Sequence, residues 1–220
     1  MIKPTTNKLK SAAVSCILTL TVLLGACGST DKPMTLEAAR NILLTGTNYR
    51  LCLSVKTEQS GDGYYEEEFT DILRDGDKQR SYKSNIAGPV FDEEYLHRTE
   101  DATYRYRYFT DGPLYREKIG DEQAFDDDRL PLFGILTPVL IDQLFNADNY
   151  SKSGGKYTYN AEDKTLSGTG TQFDSAKISP GKDTLILTVT LTDADKTTTV
   201  TLGITDVGIT EVVIPDYSLF

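Results

Sequence analysis

Leu185-Ile186-Leu187-Thr188-Val189-Thr190-Leu191-Thr192 alternates with period two, and past the tight Asp193-Ala194-Asp195 turn Val200, Leu202 and Ile204 repeat the alternation among threonines. Period two is the spacing of a β-strand, whose successive side chains point to opposite faces. Leu185, Leu187, Val189 and Leu191 therefore share one face, and Ile186, Thr188, Thr190 and Thr192 the other. The pair reads as an antiparallel hairpin, apolar on one side and rich in hydroxyls on the other.

The same signature recurs upstream. Tyr49, Leu51, Leu53 and Val55 alternate with Arg50, Cys52, Ser54 and Lys56, and Gly61-Asp62-Gly63 turns the chain. Strands are then expected over residues 64–73, 80–86, 95–99, 103–109 and 114–119, with Thr110-Asp111-Gly112-Pro113 as the break between the last two. After Gly154-Gly155, strands are expected over 156–160, 165–173, 184–192, 197–205 and 209–215. Two helices interrupt the strands. Thr35 is a candidate N-cap for a stripe of Leu36, Ala39, Ile42 and Leu43 that stops at Gly46. Thr137-Pro138 supplies an N-cap and first position for Val139, Leu140, Ile141, Leu144 and Phe145, a helix of about ten residues. The fold class expected is α+β, mainly β: a single domain with a strongly curved antiparallel sheet, an incomplete barrel, wrapped around one or two helices.

Composition narrows the function. With 220 residues, 33 acidic against 23 basic side chains and a formal charge of −10, the chain lacks the cationic surface on which phosphate-backbone binding rests, so nucleic acid is excluded as a partner. Lys3, Lys8 and Lys10 precede an uncharged run from Ala12 to Leu24. About 13 residues at ~1.5 Å each give roughly 20 Å as helix, short of a bilayer core of about 30 Å. The run reads as the apolar region of a secretory signal, and Leu24-Gly25-Ala26-Cys27 closes it.

Those four residues resemble the lipobox of bacterial lipoproteins. The resemblance implies that residues 1–26 are removed, that Cys27 receives a diacylglycerol and becomes the first mature residue, and that residues 27–33 tether the domain spanning 34–220. It further implies a cell-membrane location, lipid-anchored on the extracytoplasmic face. Two acyl chains suffice for stable attachment, because each buried methylene contributes about 0.8 kcal/mol. Removing residues 1–26 takes away three Lys and no acid, which moves the formal charge from −10 to −13. Of the three cysteines, Cys16 leaves with the signal and Cys27 is acylated, so Cys52 is expected to stand alone, without a disulfide, as a small side chain in a strand.

Helix, strand meander, central helix and strand meander, closing on Ile209-Thr210-Glu211-Val212-Val213-Ile214-Pro215, is similar to the LolA/LolB-like and LppX/LprG-like lipid-carrier lipoproteins. That resemblance implies a cavity for acyl chains between the curved sheet and the helices. Candidate lining residues are Leu51, Leu53, Val55, Tyr104, Tyr106, Tyr108, Leu140, Leu144, Leu187, Val189 and Leu202. The partners expected are the membrane, through Cys27, and a lipid or other apolar small molecule. The competing reading is a non-enzymatic cell-envelope interaction protein with a filled core and an acidic partner-binding surface.

Catalytic chemistry finds little support. His97 is the one histidine, which leaves no His pair for zinc and no second imidazole for a relay. Ser153 to Lys156 and Ser179 to Lys182 match S-x-x-K, but Gly154-Gly155 and Pro180-Gly181 oppose the helix that motif must open. Glu66-Glu67-Glu68 alternate faces in a strand, and Asp126-Asp127-Asp128, before Leu130-Pro131-Leu132-Phe133, sits in no calcium-loop pattern. Tyr104-Arg105-Tyr106-Arg107-Tyr108 places its three Tyr on one strand face and its two Arg on the other, where Glu66 and Glu68 are candidate ion-pair partners. No enzyme activity, metal or cofactor is expected.

Overall fold

The computed structural model describes residues 32–61, 63–85, 88–109, 115–121, 125 and 137–214. The signal segment, Cys27, the turn over 110–113, Asp126-Asp127-Asp128, Leu130 to Phe133, Pro215 and the side chain of Tyr108 lie outside the described residues.

Helix α1 (Leu36–Thr45) begins where Thr35 Oγ1 accepts the N–H of Ala38 at 3.1 Å and buries Leu36, Ala39 and Leu43. It ends at Gly46, where an added Cβ would stand 2.6 Å from Ile42 O, so the chain leaves by a route only glycine permits. Helix α2 (Pro138–Leu144) starts at the expected Thr137 cap, whose Oγ1 accepts from Leu140 N at 3.2 Å. It is seven residues long rather than about ten, because Phe145 already departs from helical geometry as its C-cap.

The first wing of the sheet contains β1 (Asn48–Gln59), β2 (Tyr65–Asp75), β3 (Lys78–Asn85), β4 (Gly88–Arg98), β5 (Thr103–Phe109) and β6 (Tyr115–Gly120). The second contains β7 (Tyr150–Ser153), β8 (Lys156–Tyr159), β9 (Ser175–Pro180), β10 (Leu185–Asp193) and β11 (Lys196–Thr205). All are antiparallel neighbours in the order β6-β5-β4-β3-β2-β1-β11-β10-β9-β8-β7, one curved, unclosed 11-stranded sheet in a single domain. The first and last strands meet at its centre, joining two meanders into one surface. Their register sets Leu51 against Ile204, Leu53 against Leu202 and Val55 against Val200, and β10 continues the rows with Leu185, Leu187 and Val189. Those apolar rows, α1 and α2 make up the core.

Two expected strands are absent. Over 165–173 a single bridge joins Thr165 to Gln172, while Gly168 and Gly170 take φ of +86° and +73° and fold the segment into a turn. Residues 209–214 run as irregular chain, because both edges of β1 are already occupied by β2 and β11 and no edge is left there to pair with. Conversely, β7 and β9 are not among the expected strands: β7 is four residues long and largely polar, and β9 is six residues long, its alternation limited to Ala176 and Ile178 between Ser175, Lys177 and Ser179.

The face that carries the aliphatic rows becomes mixed along the first wing. Directly opposed residues share a face, and the row Leu51, Ile72, Ser81, Glu94, Arg107 runs from aliphatic to charged. Arg74, Gln79 and Leu96 are still buried on that face, and on the reverse side Phe69, Tyr82 and Tyr106 are buried as well. Arg105 and Arg107 meet Glu94 at 3.4 and 2.7 Å, not Glu66 or Glu68, because Glu94 stands on the neighbouring strand whereas β2 lies three strands from β5. Glu68 pairs with Lys83 at 3.2 Å.

Candidate functional site

Between α2 and the apolar face of the second wing lies a cavity of about 40 Å³. Leu140 and Leu144 form its helical wall; Leu53 of β1, Leu187, Val189 and Leu191 of β10, and Val200 and Leu202 of β11 form its floor; Leu166 closes one side. Every lining side chain is aliphatic. A void of this kind has no polar partner to retain water, so it favours an apolar occupant.

The helix is held over the floor at several points. Arg40 Nε meets Asp142 Oδ1 at 2.7 Å, tying α1 to α2. The amide of Gln143 clamps the 165–167 turn, donating to Thr165 O at 2.7 Å and accepting from Ser167 N at 2.9 Å, and this brings Leu166 to the cavity. Tyr150 donates its hydroxyl to Leu144 O at 2.7 Å, and its burial pushes its phenol pKa well above the usual value. Tyr150 stacks edge to face on Tyr159 at 5.2 Å, and Tyr159 on Phe173 at 5.0 Å, so a rigid aromatic cluster supports the end of the helix.

Of the residues expected to line a cavity, Leu53, Leu140, Leu144, Leu187, Val189 and Leu202 surround this one. Leu51 is buried in the core without reaching it, and Val55 packs against that core from its edge. Tyr104 and Tyr106 do not belong to the cavity. Register places them on the reverse face of the sheet, in line with His97 and Tyr95, and the Arg116 guanidinium lies over the Tyr104 ring at 4.2 Å. Leu191 and Val200 were legible in the alternation that marks their strands; Leu166 was not, because it stands in a turn with no periodicity.

Elsewhere polar side chains pair across neighbouring strands. Asp71 accepts two hydrogen bonds from Arg50 at 2.9 and 3.1 Å, with the buried Cys52 thiol 3.5 Å away. Glu93 accepts from Arg80 at 2.6 Å and from Tyr95 at 2.7 Å, and burial together with that carboxylate pushes the Tyr95 phenol up to about 12. Among the described residues no cluster of three His, Cys, Asp or Glu could hold a metal ion, and no helix is long and apolar enough to cross a membrane. Among the described residues, only aliphatic side chains line the cavity.

No protein-family model matches the chain, and no curated protein matches it. Among solved structures it is similar to a DUF1329 family protein from Desulfovibrio piger, with 11% sequence identity, 79% of this chain and 91% of that chain covered, and a TM-score of 0.29.

Proposed function

We propose that this protein is a lipid-anchored module of the extracytoplasmic membrane face that binds an acyl chain or similar apolar ligand between α2 and the second wing of its sheet. The observation that carries the reading is the wholly aliphatic cavity under Leu140 and Leu144. The lipobox-like Leu24-Gly25-Ala26-Cys27 supports the anchor. At about 40 Å³ the cavity admits the end of a chain, so taking in more of it requires α2 to lift from the floor. The helix suits that movement: it is seven residues long and its ties to the rest of the fold are individual side-chain bonds rather than a sheet ladder. The test is titration of the protein with a fluorescent fatty acid. Saturable binding that unlabelled lipid competes away supports the proposal; a protein folded by circular dichroism that shows neither saturation nor competition overturns it.

The small volume favours one other reading, a filled core in an envelope interaction protein whose acidic surface meets its partner. Under that reading the same titration gives no saturation.

A further inference from the structure

One end of the sheet gathers the start of β1, the end of β2, the start of β10 and the end of β11, as the pairings Asn48 with Asp75, Arg50 with Thr205 and Leu185 with Ile204 require. Just beyond β11 the chain turns through Gly208, at φ +79°, and crosses this end under firm restraint. Gly208 N donates to Asn48 O at 3.1 Å; Thr210 N donates to Asn48 Oδ1 and Asn48 Nδ2 to Thr210 O, each at 2.8 Å; Val212 N donates to Asp75 Oδ2 at 3.1 Å. Thr210 and Val212 are thereby buried, while Ile209 and Val213 are left 78% and 70% exposed, with Val207 beside them at 38%. These apolar side chains are held in water by a pinned backbone, against their own transfer preference.

The opposite terminus of the domain reaches the same end. Met34 N donates to Gly181 O at 2.8 Å, in the connection between β9 and β10. From Cys27 to Met34 is about seven residues, which span at most about 25 Å. The offset from that connection to the Asn48 edge is two or three strands at about 4.8 Å each, roughly 10–15 Å. An acyl anchor on Cys27 thus brings Val207, Ile209 and Val213 to the same bilayer surface.

The geometry points to this end as a membrane-facing surface, with Val207, Ile209 and Val213 entering the lipid interface beside the anchor. It rests on the reading of Cys27 as the anchor. Glu211 is exposed between Ile209 and Val213, so the lipid it meets is zwitterionic rather than anionic.

The chain contains no Trp, so one introduced residue reports its own surroundings. The full acylated protein, carrying Ile209→Trp, is reconstituted in phosphatidylcholine vesicles with and without brominated acyl chains, and flotation first establishes that it is vesicle-bound. At interfacial depth the Ile209→Trp protein loses roughly half of its emission to the brominated lipid; Val213→Trp behaves alike, and Tyr64→Trp, at the opposite end of β1 and β2, is unaffected. A floating protein whose Ile209→Trp and Val213→Trp emissions are unquenched, or quenched no more than Tyr64→Trp, overturns this inference and leaves the anchor intact. A protein that does not float with vesicles overturns the anchor and this inference together.

Discussion

His97 stands on β4 between Lys78 and Tyr104 on the neighbouring strands. Burial lowers its pKa below 6.5, the Lys78 and Arg116 charges lower it further, and Asp77 opposes them. A lowered pKa means that the folded chain disfavours the imidazolium. Its contribution is fully present above about pH 6.5 and is lost as pH falls through the folded value, because the unfolded chain takes up the proton first. Denaturant midpoints measured at pH 7.5 and 5.5 should therefore fall further in the wild type than in His97→Gln. Equal falls would show that the imidazole titrates alike in both states. Arg50 and Asp71 form a polar pair on one sheet face. They are partly buried, bidentate and adjacent across β1 and β2, and Cys52 beside them is shielded by the same strands.

At the scale of the element, α2 decides what the cavity can do. Leu144 is buried against both the floor and the Tyr150 cluster, so Leu144→Ala removes three carbons from the helical wall. The expected cost is about 2–5 kcal/mol of stability, measured by urea denaturation. The same variant should keep or strengthen binding of a fluorescent fatty acid, because the space it vacates is apolar and adjoins the cavity. Loss of probe binding in a variant that still folds would place the acyl chain elsewhere.

The helices were legible because caps are local. Thr35 and Thr137-Pro138 each satisfy orphan amides within one turn, so their meaning does not depend on the rest of the chain. Strands such as β5, Thr103–Phe109, were legible to the residue because alternation is also local. Pairing is not. Ile209 to Ile214 is as apolar as a strand, yet both edges of the β1 it lies beside are taken, and nothing in its own residues reveals that β11 and β2 already occupy them. The site divides in the same way. Leu53, Leu187, Val189 and Leu202 follow from alternation, whereas the side of the sheet that Tyr104 and Tyr106 take does not, because only the register carried from β1 to β5 shows it.

At the scale of the whole molecule, the two wings differ in what they bury on the shared face. The second wing buries aliphatic rows under the helices, and the first carries on that side charged pairs such as Arg107 with Glu94 and the buried Arg74, with the Phe125 ring at 3.8 Å from its guanidinium. The aliphatic cavity therefore lies over the second wing and the adjoining β1. Under the proposed function, attachment to the membrane is a separate property resting on the Cys27 thiol. Cys27→Ala should release the protein from the membrane fraction, since an apolar run of about 13 residues is too short to span the bilayer. Retention at the wild-type level in washed membranes would contradict acylation at that position.

The central claim, that the cavity under α2 holds an acyl chain, is tested most directly by native mass spectrometry of the protein extracted gently from the cells that make it. The account predicts a non-covalent adduct of acyl-lipid mass, additional to the covalent anchor, which dissociates on collisional activation and returns when lipid extract is added. A folded protein that repeatedly shows only its covalent mass, before and after lipid addition, would contradict it.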